Sequence, residues 1–150
     1  MKKTILAMAV VLVSGLTSAF ANKTDAIDQR ITASFHRDFE MAKNVSWQQE
    51  NNYVKATFSL NEHILYAYYS KEGDLLALVR NVLSDHLPVV LQVELKKTYG
   101  GYWITDLFEL SSDTQTTYYC SLESENEILI LQSDGHAHWS VYKRIKKNTA

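Results

Sequence analysis

The most metal-like spacing in this sequence is His136-Ala137-His138. Residues two apart on a strand project from the same face, and imidazole is a favoured ligand for zinc or copper. Two ligands fall short of the three or four that zinc sites use, so metal or small-ligand capture by His136 and His138 stands as the alternative reading. His36, His63 and His86 fall on a predicted helix, a turn and a cap, and add no third ligand. The single cysteine, Cys120, can form no intramolecular disulfide and reads as a small buried hydrophobe. No serine occupies a nucleophile-elbow context, and Gly100-Gly101 follows a helix where a phosphate-binding glycine loop would precede one. With no nucleophile, base and orienting group to assemble, the chain reads as non-enzymatic and without a cofactor.

Tyrosine offers more, because a phenol ring brings large contact area at little conformational cost and the chain has nine of them. Alternation along the predicted strands assigns Tyr53, Ala67, Tyr69, Leu76 and Leu78 to one sheet face, joined by Tyr119, Leu129, Leu131, His138 and Tyr142. Lys55, Thr57, Ser59, Arg80, Ser121 and Ser140 keep that face amphipathic. An open tyrosine-rich sheet face predicts the docking of a protein or peptide. A register one residue different would send the same set into the core.

Those residues need elements to hold them, and the first element reads as a leader. Lys2 and Lys3, an apolar run from Ile5 to Leu16 and Ala19-Phe20-Ala21 have the order of a secretory signal over residues 1–21. The run is short for a membrane span, and cleavage after Ala21 would leave no lipid-accepting cysteine, so no stable membrane anchor is expected. The expected location is periplasmic or secreted, and the partner a protein or peptide of the cell envelope. Removing 21 of the 150 residues leaves 129, enough for one domain with a core of its own. Loss of Lys2 and Lys3 takes the formal charge from −2 to −4, which argues against nucleic acid, and the basic run Lys143-Arg144-Ile145-Lys146-Lys147 reads as a solvated end.

Within 22–150 one pattern occurs twice, predicting repeats over about 22–83 and 84–147. Ile27, Ile31, Phe35 and Phe39 form a helical stripe, with Thr24 or Asp25 available as its cap, and Leu87, Leu91, Leu95 and Tyr99 form another. Pro88 suits the start of the second helix and Gly100-Gly101 its end. Short β-rich segments follow each helix: Val45 to Trp47, Tyr53 to Leu60, Ile64 to Ser70 and Leu75 to Val82, then Ile104 to Leu110, Thr117 to Leu122, Ile128 to Gln132 and Ala137 to Ile145. The expected fold class is therefore α+β, two tandem helix-plus-four-stranded antiparallel sheet repeats with the helices on one face of the sheet.

A two-residue turn at Asp134-Gly135 would pair Ile130 with Trp139 and Ile128 with Val141 beneath the second helix, with Tyr118, Cys120 and Leu122 beside them. Beneath the first helix the expected set is Val54, Ala56, Phe58, Leu60, Tyr66, Tyr68, Ala77 and Val79.

Taken together, Asn44-Val45-Ser46-Trp47, Tyr66-Ala67-Tyr68-Tyr69, Lys71-Glu72-Gly73-Asp74-Leu75-Leu76, Asp85-His86-Leu87-Pro88, Tyr118-Tyr119-Cys120-Ser121-Leu122-Glu123 and Trp139-Ser140-Val141-Tyr142-Lys143 resemble the PepSY-like, β-lactamase-inhibitor-like family of small exported bacterial proteins. The resemblance implies a curved sheet surface backed by helices, used in some relatives to press aromatic residues against a partner enzyme. It departs at Ser70, where the family often has aspartate, and at Asn61-Glu62, in place of Asn-Gly.

Overall fold

The computed structural model describes residues 26–148. The expected signal segment 1–21 and the expected cap residues Thr24 and Asp25 lie outside the described residues. The chain begins with α1 (Gln29–Asp38), continues through β1 (Lys43–Gln49), β2 (Val54–Leu60), β3 (His63–Tyr69) and β4 (Leu75–Asn81), and passes a 3-10 turn at Ser84–His86. It then forms α2 (Val89–Thr98), β5 (Trp103–Ser111), β6 (Thr116–Glu123), β7 (Glu127–Ser133) and β8 (Ser140–Lys146).

Each helix has a local cause. Ile31 and Phe35, four residues apart, are the buried positions of α1, and the Asp28 carboxylate caps it by accepting the Arg30 N–H at 2.8 Å. The Arg30 side chain also binds Asp28, and together these hold its carboxyl down to about 2. In α2 the buried pair is Leu91 and Leu95; Pro88 occupies the N-cap position, just outside the helix.

The expected α+β fold class of two tandem helix-plus-four-stranded repeats, which left open whether their sheets join, is corrected. All eight strands form one antiparallel sheet in the order β1 to β8, and with two ten-residue helices among the described residues the molecule is mostly β. The correction lies at β4 and β5, where Leu78, Val79, Arg80 and Asn81 pair with Ser111, Leu110, Glu109 and Phe108. Pairing there satisfies backbone groups that two separate sheets would leave open at facing edges. Arg80 reinforces the join with a two-pronged contact to Glu109, at 3.0 and 3.2 Å.

Following the pairs Ala67–Leu78 and Leu78–Ser111, then the pleat from Ser111 back to Leu107, shows that α1 and α2 cover the same face. Phe35 of α1 packs on Val54, Ala56, Phe58, Leu65, Ala67 and Tyr69 beneath it. Leu91 of α2 packs on Leu107, Cys120, Leu122, Leu129, Leu131 and Trp139. A third buried cluster, with no helix residue in it, occupies the opposite face.

Candidate functional site

The helix-free face is built by the even-numbered residues of β3, the odd-numbered residues of β6 and their partners. Tyr68 pairs with Ala77, Tyr66 with Val79, Val79 with Leu110, Phe108 with Tyr119, and Ser121 with Ile130. The tyrosine and phenylalanine rings fall into two groups on this face, linked within one cluster through Ala77, Val79 and Leu110. Tyr53 lies 5.5 Å from Tyr68, Phe108 stacks on Tyr119 at 5.1 Å, and Tyr142 meets Tyr119 edge-on at 5.8 Å. Tyr68, Phe108 and Tyr119 are buried at the centre, while Tyr53, Tyr66, Leu76 and Tyr142 are half-buried around them.

Burial raises the Tyr68 phenol well above its ordinary range, aided by Tyr53 and Tyr66, and burial with Tyr142 nearby pushes Tyr119 up to about 12. Tyr53 is raised as well, by burial and then by Glu50. These phenols are therefore neutral at physiological pH, and the face presents area and hydroxyls without charge from its rings.

Of the ten residues expected on the open face, Tyr53, Leu76, Tyr119 and Tyr142 lie there. The other six are corrected. Ala67 and Tyr69 are 0% exposed beneath α1, the Tyr69 hydroxyl 3.4 Å from Asp38, and Leu78 packs on the same cluster. Leu129 and Leu131 are buried under α2. His138 falls between β7 and β8, exposed, with Nδ1 3.6 Å from Glu94 Oε2 on α2.

Conversely, Tyr66, Tyr68, Ala77, Val79 and Ile130, expected beneath the helices, belong to the helix-free cluster. Val141 is exposed, and Ile128 pairs with Ile145 in place of Val141.

Three turns and bulges account for these shifts. Asn61 and Glu62, both at positive φ, make a two-residue turn that pairs Leu60 with His63, so Phe58 faces Leu65 and Val54 faces Tyr69. A bulge at Leu76 lets Tyr68 pair with Ala77 and Tyr69 with Leu75. The connection before β8 is longer than a two-residue turn: Gln132 pairs with Ser140, and a bulge at Tyr142 sets Ile130 opposite Lys143. Trp139 leaves the ladder, goes under α2 and donates its indole N–H to the Leu91 carbonyl at 3.1 Å. Asn61 carried the signal for the first of these shifts; Glu62 at the next position obscured it.

His136 and His138 are exposed, and among the described residues no group of three His, Cys, Asp or Glu is placed to hold a metal. Cys120 is fully buried, and burial, with Asp106 adding to it, pushes its thiol up to about 12.

No protein-family model matches the chain, and no curated protein matches it in sequence. Solved structures match its fold. A DUF2874 family protein from Bacteroides ovatus aligns with a TM-score of 0.72 at 15% identity, over 81% of this chain and 89% of that one. A BLIP-like protein from Bacteroides fragilis aligns with a TM-score of 0.72 at 12% identity, over 87% and 92%. A Bacteroides eggerthii protein, provisionally described as periplasmic, gives 0.71 at 9% identity, over 79% and 88%. At these identities it is the fold that is shared, and it agrees with the β-lactamase-inhibitor-like side of the expected resemblance. None of these neighbours is described as PepSY or as an enzyme.

Proposed function

We propose that this protein is an exported, non-enzymatic binding module that docks a protein or peptide of the cell envelope on the helix-free face of its sheet. The observation that carries this reading is the single cluster on the face opposite both helices that holds two groups of rings, Tyr53 with Tyr68 and Phe108 with Tyr119 and Tyr142. A rigid centre with half-buried tyrosines around it is the composition that protein interfaces use for anchoring, because the rings lose little freedom on contact. The leader-like residues 1–21 support export, as does the periplasmic description of the Bacteroides eggerthii neighbour. The fold shared with a BLIP-like protein makes inhibition of an exported enzyme one version of the reading.

The purified protein, carrying Tyr53→Ser and Tyr142→Ser, is the test. Pull-down from the native envelope followed by mass spectrometry should identify a partner that the doubly substituted protein no longer captures, although that protein still unfolds cooperatively with a thermal midpoint lowered by about ten degrees. Undiminished capture by that variant would remove the docking face.

A further inference from the structure

We propose that the segment docked on the helix-free face presents an aspartate or glutamate side chain to Lys55, inside an otherwise uncharged stretch. This rests on the docking-face reading above and narrows it to a partner of stated chemistry.

Lys55 pairs with Tyr68 on β3 and with Gln48 on β1, so it projects from the helix-free face, and its ammonium lies 5.7 Å from the centre of the Tyr66 ring. Its situation differs from that of every other cation among the described residues. Arg30, Arg37, Arg80, Arg144 and Lys147 each have a carboxylate partner. Lys71, half-buried, donates to the Glu50 carbonyl at 2.6 Å. Lys43, Lys96, Lys97, Lys143 and Lys146 have no such partner, but all five are exposed and water solvates them. Lys55 alone is both half-buried and without a carboxylate in ion-pair reach or an oxygen accepting from its amine.

Burial disfavours its charged form, opposed by the more distant Glu50, whose carboxylate is occupied by Gln48 Nε2 at 2.7 Å. A partly desolvated ammonium over a ring is the arrangement that gains most from an arriving anion, since the desolvation has already been met in the free protein. The neighbourhood limits what that anion can be. Thr57, Ser59, Asn81 and Gln132 share the face as uncharged groups, and the other charges on it, Asp106 opposite Ser121 and Lys143 opposite Ile130, are exposed to water on β5 and β8, so around Tyr66 and Tyr68 Lys55 is the one half-buried cation amid apolar rings. A phosphate backbone asks for several cations in a row; a single carboxylate flanked by aromatic or aliphatic side chains matches a protein segment.

The probes are two immobilised series of synthetic heptapeptides that differ only in a central Glu or Gln, flanked by Phe, Tyr or Leu. They are titrated with the purified protein and with its Lys55→Met, Lys55→Arg, Lys143→Met and Tyr142→Ser variants. The Glu series is expected to bind about tenfold more tightly than the Gln series, one ion pair in a partly desolvated site. Lys55→Met should erase that ratio, Lys55→Arg restore it and Lys143→Met leave it. Equal binding of both series, weakened by Tyr142→Ser, would overturn the role of Lys55 while the docking face stands. Binding by neither series, or binding untouched by Tyr142→Ser, would overturn both.

Discussion

On the helix-covered face the two main clusters stay with their own helices: Phe35, Phe58, Ala67 and Tyr69 under α1, and Leu91, Leu107, Leu122 and Leu131 under α2. On the other face a single cluster takes Tyr68, Ala77 and Val79 from β3 and β4 together with Phe108, Leu110, Tyr119 and Ile130 from β5 to β7. The helix-side clusters attach each helix to nearby strands, whereas the helix-free cluster packs across the β4–β5 join. That difference separates two roles within one face. Its buried centre holds the sheet together, and its half-buried margin, with Tyr53, Tyr66, Leu76 and Tyr142, is the part left to meet a partner.

The largest expected effects come from emptying either face at its centre. Phe108→Ala removes a buried ring stacked on Tyr119, and Tyr69→Ser removes one wholly buried beneath α1; each should cost about 3–5 kcal/mol in urea unfolding. The two should differ in kind. Trp47 packs with the α1 cluster and Trp139 belongs to the α2 cluster, so a substitution that loosens the join should make unfolding followed at these two tryptophans separate. Phe108→Ala should separate them and Tyr69→Ser should not. A cost below about 1 kcal/mol for Phe108→Ala would show that the helix-free cluster is no seam.

Alkali sharpens the same contrast through the phenols. Tyr119 is neutral in the folded state up to about 12, against roughly 10 in an unfolded chain. A raised folded-state value means the native protein holds the proton more tightly. The associated stability is fully present below about pH 10 and is lost as pH rises through 12, amounting to about 2–3 kcal/mol. Tyr119→Phe should therefore flatten the fall in stability between pH 10 and 12. An unchanged slope would mean that this phenol is already solvated.

At the margin the expected effect on folding is smaller. Tyr142→Ser trims a half-buried ring and should cost about 1–2 kcal/mol, while Tyr53→Ser acts on a ring outside the strands at similar or lower cost. A loss at Tyr142 as large as at Tyr69 would erase the distinction between centre and margin.

How much of this arrangement was legible in the sequence follows from which contacts are local. The Ile31–Phe35 and Leu91–Leu95 stripes, and every strand to within a few residues, are set by spacings inside one segment, and alternation and helical periodicity report them directly. The continuity of the sheet depends on Leu78–Asn81 meeting Phe108–Ser111 across an intervening helix, which no local pattern records. The face of Tyr69, Leu129 and Leu131 depends on a turn and two bulges, and in a strand a slip of one residue inverts every assignment. Tyr53 and Tyr142 fall on the face that alternation assigns them because Tyr53 precedes the first hairpin turn and the bulge at Tyr142 restores the parity that the longer connection before β8 shifts. In the sequence Lys55 is only a polar interruption of an apolar face, since a missing partner is a property of the folded neighbourhood and not of the residue.

The smallest expected effect tests the turn from which the first of those assignments comes. Asn61 at φ 49 and Glu62 at φ 67 both occupy the left-handed region that the turn between β2 and β3 requires. Asparagine tolerates it through its short side chain, but a glutamate there bears the clash of Cβ with its own backbone, on the order of 1 kcal/mol. Glu62 is exposed, and among the described residues its carboxylate has no hydrogen bond or ion pair to lose. Glu62→Gly removes the clash while adding freedom to the unfolded chain, and the first term is the larger, leaving a gain of about 0.5 kcal/mol. A rise of about 2 °C in the thermal midpoint should follow. If Glu62→Gly lowers the midpoint, these two residues do not hold positive φ, Leu60 need not pair with His63, and the placement of Tyr69 under α1 with Tyr68 on the opposite face loses its geometric cause.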